Sequence, residues 1–206
     1  MHSVIYSIGN FISRIMNKGN YYKDETVVKE YIKMAEGFNG RELIKKLKCF
    51  LPDDRSILEI GAGPGTDLEI LSKSYEVTGS DYSQAFLDVL KAKLPDIDLL
   101  EQNAISLETN KKFDGIYSNK VLHCLTDDEL HLSIQNQNRI LNSQGVICHS
   151  FWNGTESEVH EGVFCNYHTI SEIEKFVSEY FDVLVLEGYT EMEENDSILL
   201  IGKKKK

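Results

Sequence analysis

From residue 56 to residue 204 two hydrophobic rhythms alternate along the chain. Short apolar runs, of the kind a sheet covers on both faces, are followed by stretches whose apolar residues recur every three or four positions. Ile57, Leu58 and Ile60 form the first run, and Leu68, Ile70 and Leu71 give the helical face after it. The same rhythm predicts strands at 75–81 (YEVTGSD), 97–102 (IDLLEQ), 113–119 (FDGIYSN) and 145–151 (GVICHSF). Ser83 caps a helix over 83–93. A Thr126-x-x-Glu129 capping box opens another that runs to about Leu141, with Gly145 just beyond its end.

The flanks read differently. Asp24 opens a helix to about Glu36 with Val27, Val28, Tyr31 and Ala35 on one face, and Gly37 and Gly40 punctuate its end. Asn39, three residues before Glu42, has N-cap character for the helix ELIKKLKCFL, which Pro52 and Asp53 end. After a polar loop at 153–163, a Thr169-x-x-Glu172 box starts a helix to about Tyr180. Strands at 182–188 and 197–204 then close the chain; a link of about eight residues is too short for a parallel crossover, so they pair antiparallel. The expected fold is α/β and Rossmann-like: a seven-stranded, mostly parallel sheet with its last strand antiparallel, and helices on both faces. Residues 1–50 are read as N-terminal helices forming a lid, and 51–206 as the main domain of one structural unit.

Composition narrows the partners. The 206 residues are 41% hydrophobic and 27% charged, ordinary values for a soluble domain. A net charge of −11 disfavours nucleic acid, whose phosphates need lysine and arginine, and the 203–206 lysine run reads as a solvated tail. No apolar run approaches the ~18 residues of a membrane span, and the N-terminus lacks the shape of a signal peptide. Cysteines 49, 124, 148 and 165 make no CxxC pair, so reduced thiols and a cytoplasmic location are expected; the six histidines make no metal-binding pattern. The oligomeric expectation is a monomer or homodimer.

The candidate chemistry sits at residues 56–71, SILEIGAGPGTDLEIL, a strand, a glycine turn and a helix start. Such a unit aims backbone N–H groups at whatever lies above the strand end. A dinucleotide fingerprint needs glycine at position 66, where this chain has Thr66. It has instead Glu59, Gly61, Gly63 and Gly65, and a carboxylate there suits a cationic amino group and repels a pyrophosphate. Asp81, 20 residues after Gly61, is placed to accept from ribose hydroxyls under either an NAD(P)-dependent oxidoreductase reading or its competitor.

With these residues the chain resembles the class I S-adenosylmethionine-dependent methyltransferases. ILEIGAGPG is similar to that family's first motif, VTGSDYS to its second, QNAISLE to its third, FDGIYSNKVLHCL to its fourth and ILNSQGVICHSFW to the segment into strand five. The order holds over roughly residues 20–204, and NYHTISEI is similar to a helix start in the small-molecule subgroup. The resemblance implies S-adenosyl-L-methionine as methyl donor, S-adenosyl-L-homocysteine as its product and a small molecule as acceptor. It implies that Gly61, Ala62, Gly63 and Gly65 pass close to the donor and that Glu59 holds its amino end. Asp81 would take the ribose, and Tyr82 would lie against the adenine or else join the core. Asn103 and Ala104 stand where the family has an acid and a small residue that contact adenine. Ser118 and Asn119 would line the methionine part. His123 would be a general base or pack beneath the cofactor. Tyr21, Tyr22, Tyr31, Trp152 and Tyr167 would form a lid on the acceptor or pack between the N-terminal helix and the sheet. Two rivals remain: a binding protein without catalysis, and a protein or tRNA methyltransferase, which the acidic charge disfavours, as does Ser118-Asn119-Lys120-Val121 where an Asn/Asp-Pro-Pro-Tyr-type motif would stand.

Overall fold

The structure, a computed structural model, describes residues 25–160 and 163–206. Helices α1 (Glu25–Met34) and α2 (Arg41–Leu47) precede the sheet. Then come β1 (Ser56–Ile60), α3 (Thr66–Leu71), β2 (Glu76–Asp81), α4 (Gln84–Lys93), β3 (Asp98–Glu101) and β4 (Phe113–Asn119). A 3-10 turn at Leu122–Cys124 leads to α5 (Asp127–Ile140) and β5 (Leu141–Trp152). The chain finishes with β6 (Ser157–His160), β7 (Val163–Asn166), α6 (Ile170–Val177), β8 (Phe181–Tyr189) and β9 (Ser197–Lys204).

Seven strands pair in the order β3-β2-β1-β4-β5-β9-β8, and β9 runs antiparallel to both neighbours. The other pairings are parallel, as the crossover helices require. Side chains alternate across β1: Leu58 and Ile60 join Leu130, Ile134 and Ile173 of α5 and α6, while Ile57 joins Leu43, Leu47 and Leu71 of α2 and α3. The same alternation sends Glu59 to the α2–α3 side. The expected sheet, its antiparallel last strand and both capping boxes are present.

Four expected boundaries move. Residues 153–163 are not simply a polar loop, because Ser157–His160 and Val163–Asn166 pair as an antiparallel hairpin. Helix α5 ends at Ile140, close to the expected Leu141, but β5 begins at Leu141 rather than at Gly145, and the register breaks between Phe113 and Gly115, opposite a segment with Gln144 at φ 65°. The N-cap of α2 is Gly40, and Asn39 Oδ1 instead accepts from the Arg41 N–H at 3.2 Å; that helix ends at Leu47. Helix α6 stops at Val177, short of Tyr180. Among the described residues no helix is long and apolar enough to cross a membrane.

Candidate active site

The glycine turn follows β1 at the carboxyl edge of the sheet, where open α/β folds hold ligands. Gly61 has φ 67°, and a Cβ there would lie 2.6 Å from both methyls of Val121, so only glycine lets the two loops meet. Gly63 has φ 49°, and a Cβ there would meet nothing nearer than Gly61 O and Tyr31 Cε1, both at 4.0 Å. The Ala62 N–H is bonded to Ser80 O at 2.8 Å, which pins the turn to β2.

Three carboxylates converge here. Asp81 ends β2, accepting from the Gly63 N–H through Oδ2 and the Ser83 N–H through Oδ1, both at 2.9 Å. Burial raises its pKa against those lowering bonds. Glu59 is 3% exposed, and its Oε2 has no hydrogen-bond partner among the described residues. Burial, then the charges of Asp67 and Asp81, hold its carboxyl well above the ordinary range. Asp67, in the first turn of α3, accepts from Gly40 N–H at 2.6 Å, Tyr117 Oη at 2.7 Å and Asn119 Nδ2 at 3.0 Å. A buried acid lacking a partner, beside two more acids and an open glycine, fits a cationic ligand and disfavours a pyrophosphate. These residues fit an S-adenosylmethionine-type group.

At the end of β4 the side chains part. Asn119 bonds Asp67 and accepts from Ser150 Oγ, which places it on the carboxylate side. Ser118 is fully buried on the other face, where its Oγ meets His149 Nδ1 at 2.8 Å. His149 Nε2 meets Gln137 Oε1 at 2.7 Å. The Gln137 oxygen can only accept, so Nε2 carries the proton and Nδ1 accepts from the serine. Burial pushes His149 down to about 3, so this chain of bonds is neutral. His149 therefore faces α5.

The remaining expected residues divide by location. Tyr31 of α1 lies over the glycine turn, its ring edge-on to Phe86 at 5.6 Å; burial and the charges of Cys124, Asp81 and Asp67 raise its phenol. Tyr82 is 44% exposed beside Asp81. Ala62 is buried. Asn103 and Ala104 follow β3, and the Asn103 Oδ1 accepts from the Ile105 N–H at 2.7 Å. Tyr167 donates to Glu158 Oε1 at 2.6 Å across the hairpin, which raises its phenol to about 12. Tyr21 and Tyr22 lie outside the described residues.

His123, in the 3-10 turn, is buried, with Nδ1 unpartnered among the described residues and its ring edge-on to Trp152 at 6.3 Å. Burial, with Lys120 and His168 nearby, pushes it down to about 3. Strand β7 packs against this turn, and Asn166 Nδ2 donates to Leu125 O at 3.3 Å.

Sequence reasoning missed Asp67, Gly40 and Lys120. Lys120 follows β4 at φ 53° and donates to Phe151 O (3.1 Å), Ser197 Oγ (2.6 Å) and Glu191 Oε2 (3.1 Å). Its Nζ sits 3.4 Å from the centre of the Trp152 ring. The signal available was its place directly after the strand-four motif.

Comparison with known proteins gives the same reading. Residues 57–145 match the model of a methyltransferase domain. An uncharacterised methyltransferase of Oceanobacillus iheyensis is 31% identical over 93 residues, 44% of each chain. One from Alkaliphilus oremlandii is 27% identical over 128 residues, 60% of this chain and 59% of its own. The matched stretch thus spans about half the length of these two relatives. The structure of Burkholderia thailandensis 1,6-didemethyltoxoflavin-N1-methyltransferase, with bound 1,6-didemethyltoxoflavin and S-adenosylhomocysteine, superposes at TM-score 0.69 and 15% identity, covering 100% of this chain and 90% of that one. Residues 57–145 are thus similar to a methyltransferase domain, and the sheet they help to form has the fold of the class I S-adenosylmethionine-dependent methyltransferases.

Proposed function

We propose that the protein transfers a methyl group from S-adenosyl-L-methionine to a small-molecule acceptor. The observation that carries this reading is Glu59: a buried carboxylate with an unpartnered oxygen, beside Asp67 and Asp81, at the glycine turn. Two positive groups on one ligand, an ammonium and a sulfonium, would relieve that accumulation of acid. The donor supplies a methyl activated by a positive sulfur with a neutral leaving group.

The chain's residues then have distinct tasks. Glu59 takes the amino end, Asp81 the ribose hydroxyls, and Tyr82 offers an exposed ring to the base. Asn119, fixed by Asp67 and Ser150, borders the reacting methyl, and the α1–α2 segment with Tyr31 closes the site as a lid. Alignment at near-attack distance supplies ~7 kcal/mol or more in well-oriented systems, so strong base assistance is not required. His123 stays neutral at pH 7, and its unpartnered nitrogen accepts a hydrogen bond from the acceptor and orients it. Trp152 and Tyr167 line the acceptor side.

Support for a small acceptor comes from the acidic chain and from the 1,6-didemethyltoxoflavin-N1-methyltransferase among the structural neighbours. The test is calorimetry with S-adenosyl-L-homocysteine, followed by labelled donor with a panel of amines, phenols and heterocycles. Saturable binding with turnover supports the proposal. Binding without turnover across the panel would favour a binding protein, and no binding would end the donor assignment.

A further inference from the structure

The dipeptide Asn-Gly occurs twice in the chain, at Asn39-Gly40 and at Asn153-Gly154, in opposite surroundings. Asn39 is exposed and lies in the link between α1 and α2. Its Oδ1 accepts from the Arg41 N–H at 3.2 Å, two residues on. That turn folds the side chain back over the following peptide, which brings its carbonyl carbon toward the Gly40 nitrogen. The Arg41 N–H also draws charge onto Oδ1, so the carbon is polarised for attack. Glycine adds no side chain to shield the nitrogen.

The partner of the Gly40 N–H is an acid. It meets Asp67 Oδ1 at 2.6 Å, while Tyr117 and Asn119 donate to the other oxygen, Oδ2. A carboxylate oxygen can take a proton that a carbonyl only holds by hydrogen bonding. A nucleophilic nitrogen, a base and a polarised carbonyl therefore stand together.

Asn153 lacks this arrangement. Its Nδ2 donates to Asn195 O at 2.8 Å, which carries the side chain toward the β8–β9 loop. The Gly154 N–H donates to the His168 carbonyl at 3.2 Å, and Asn153 forms an isolated parallel bridge with His168. No acid faces that nitrogen.

We propose that Asn39 is a self-modification site, where the chain converts its own amide into an aspartyl or isoaspartyl link. The Gly40 nitrogen attacks Cγ of Asn39 and gives its proton to Asp67. The N–Cγ bond forms as the Cγ–Nδ2 bond breaks, and the departing nitrogen takes that proton and leaves as ammonia. The five-membered imide then adds water, opening to aspartate at one carbonyl or to isoaspartate at the other. Isoaspartate inserts one methylene into the backbone beside Gly40. Gly40 has no room to shift, since even a Cβ there would lie 1.9 Å from Tyr117 Oη, so the junction with Asp67 loosens.

The test stores the purified full chain at neutral pH and follows both dipeptides by peptide mapping with isoaspartate detection. Asn39 converts faster than Asn153 by about tenfold or more. Asp67→Asn keeps an acceptor for the Gly40 N–H and removes the base, so conversion at 39 slows by about tenfold or more. Thermal melts check that this variant folds. Equal conversion at the two dipeptides, or an unchanged rate at 39 in a folded Asp67→Asn, overturns the proposal. Should Asp67→Asn not fold, the wild-type ratio of the two dipeptides decides alone. The converted wild type melts below the fresh protein; an unchanged melt would overturn the loosening of the junction.

Discussion

Tyr117 donates its phenol to Asp67 across 2.7 Å, joining the fourth strand to the helix after the glycine turn. Both residues are buried, and the same carboxylate holds the Gly40 N–H and the Asn119 amide. One side chain therefore ties the start of α2, the helix after the glycine turn and the end of β4 together. Asp67→Ala would leave a buried hydroxyl and a buried N–H without an acceptor, at a cost of about 2–4 kcal/mol. Urea unfolding measures it, and donor affinity should fall in parallel because Asn119 loses its anchor. A wild-type midpoint in Asp67→Ala would show that these bonds hold nothing.

Gly40 owes its identity to the same junction. A Cβ there would lie 1.9 Å from Tyr117 Oη and 2.6 Å from Asp67 Oδ2. Gly40→Ala must displace one or both, so it should destabilise by about 1–3 kcal/mol as an overpacked core site does. In a Tyr117→Phe background the nearer obstacle is gone and the penalty should shrink. A double-mutant cycle reads that coupling directly; simple additivity would place the strain elsewhere.

How much the sequence could disclose depends on the range of the interactions. Apolar rhythm and capping residues are local, so the strands, the Thr126 and Thr169 boxes and the Ser83 cap were readable. Glu59, Gly61 and Asp81 sit at motif positions and were readable too. Asp67 was not, because it looks like any acid in the first turn of a helix, and its partners lie 27, 50 and 52 residues away. The β6–β7 hairpin was hidden because Ser157–His160 holds one apolar residue, Val159, too few to announce a strand. Asn103 was visible as a departure from the family's acid, but its bond to the Ile105 N–H was not.

Opposed slopes are expected in the dependence of stability on pH. The folded pKa of Glu59 lies well above its ordinary 4.5, so its contribution is present below 4.5 and is lost as pH rises through the raised value. His123 and His149 fall from 6.5 to about 3, so their contribution is present above 6.5 and is lost as pH drops toward 3. Each group can add a slope of up to ~1.4 kcal/mol per pH unit. Glu59→Gln should gain stability relative to wild type as pH rises above 4.5, in urea midpoints taken from pH 4 to 8. Binding of a cationic ligand should release a proton from Glu59, seen as a dependence of the calorimetric heat on buffer ionisation. A pH-independent difference between Glu59→Gln and wild type would remove Glu59 from this role.

Lys120 and Trp152 provide an optical readout of the junction between the ends of β4 and β5. Trp152 is the only tryptophan in the chain, and the Lys120 ammonium sits 3.4 Å from its ring centre. Such a contact depends on the positive charge. Burial lowers the Lys120 pKa to about 8, despite the opposing pull of Glu191. Tryptophan emission should therefore titrate with a midpoint near pH 8, since His123, whose ring also stands against the indole, changes charge only near 3. Lys120→Met should abolish the transition and cost about 1–3 kcal/mol by leaving Glu191 without its cation. A midpoint near the ordinary 10.5 would mean that Lys120 is solvated and does not fix the indole. A midpoint near 8 that persists in Lys120→Met would assign the titration to another group. If the transition follows Lys120 and shifts when an acceptor is added with S-adenosyl-L-homocysteine, the indole lies on the path the acceptor takes.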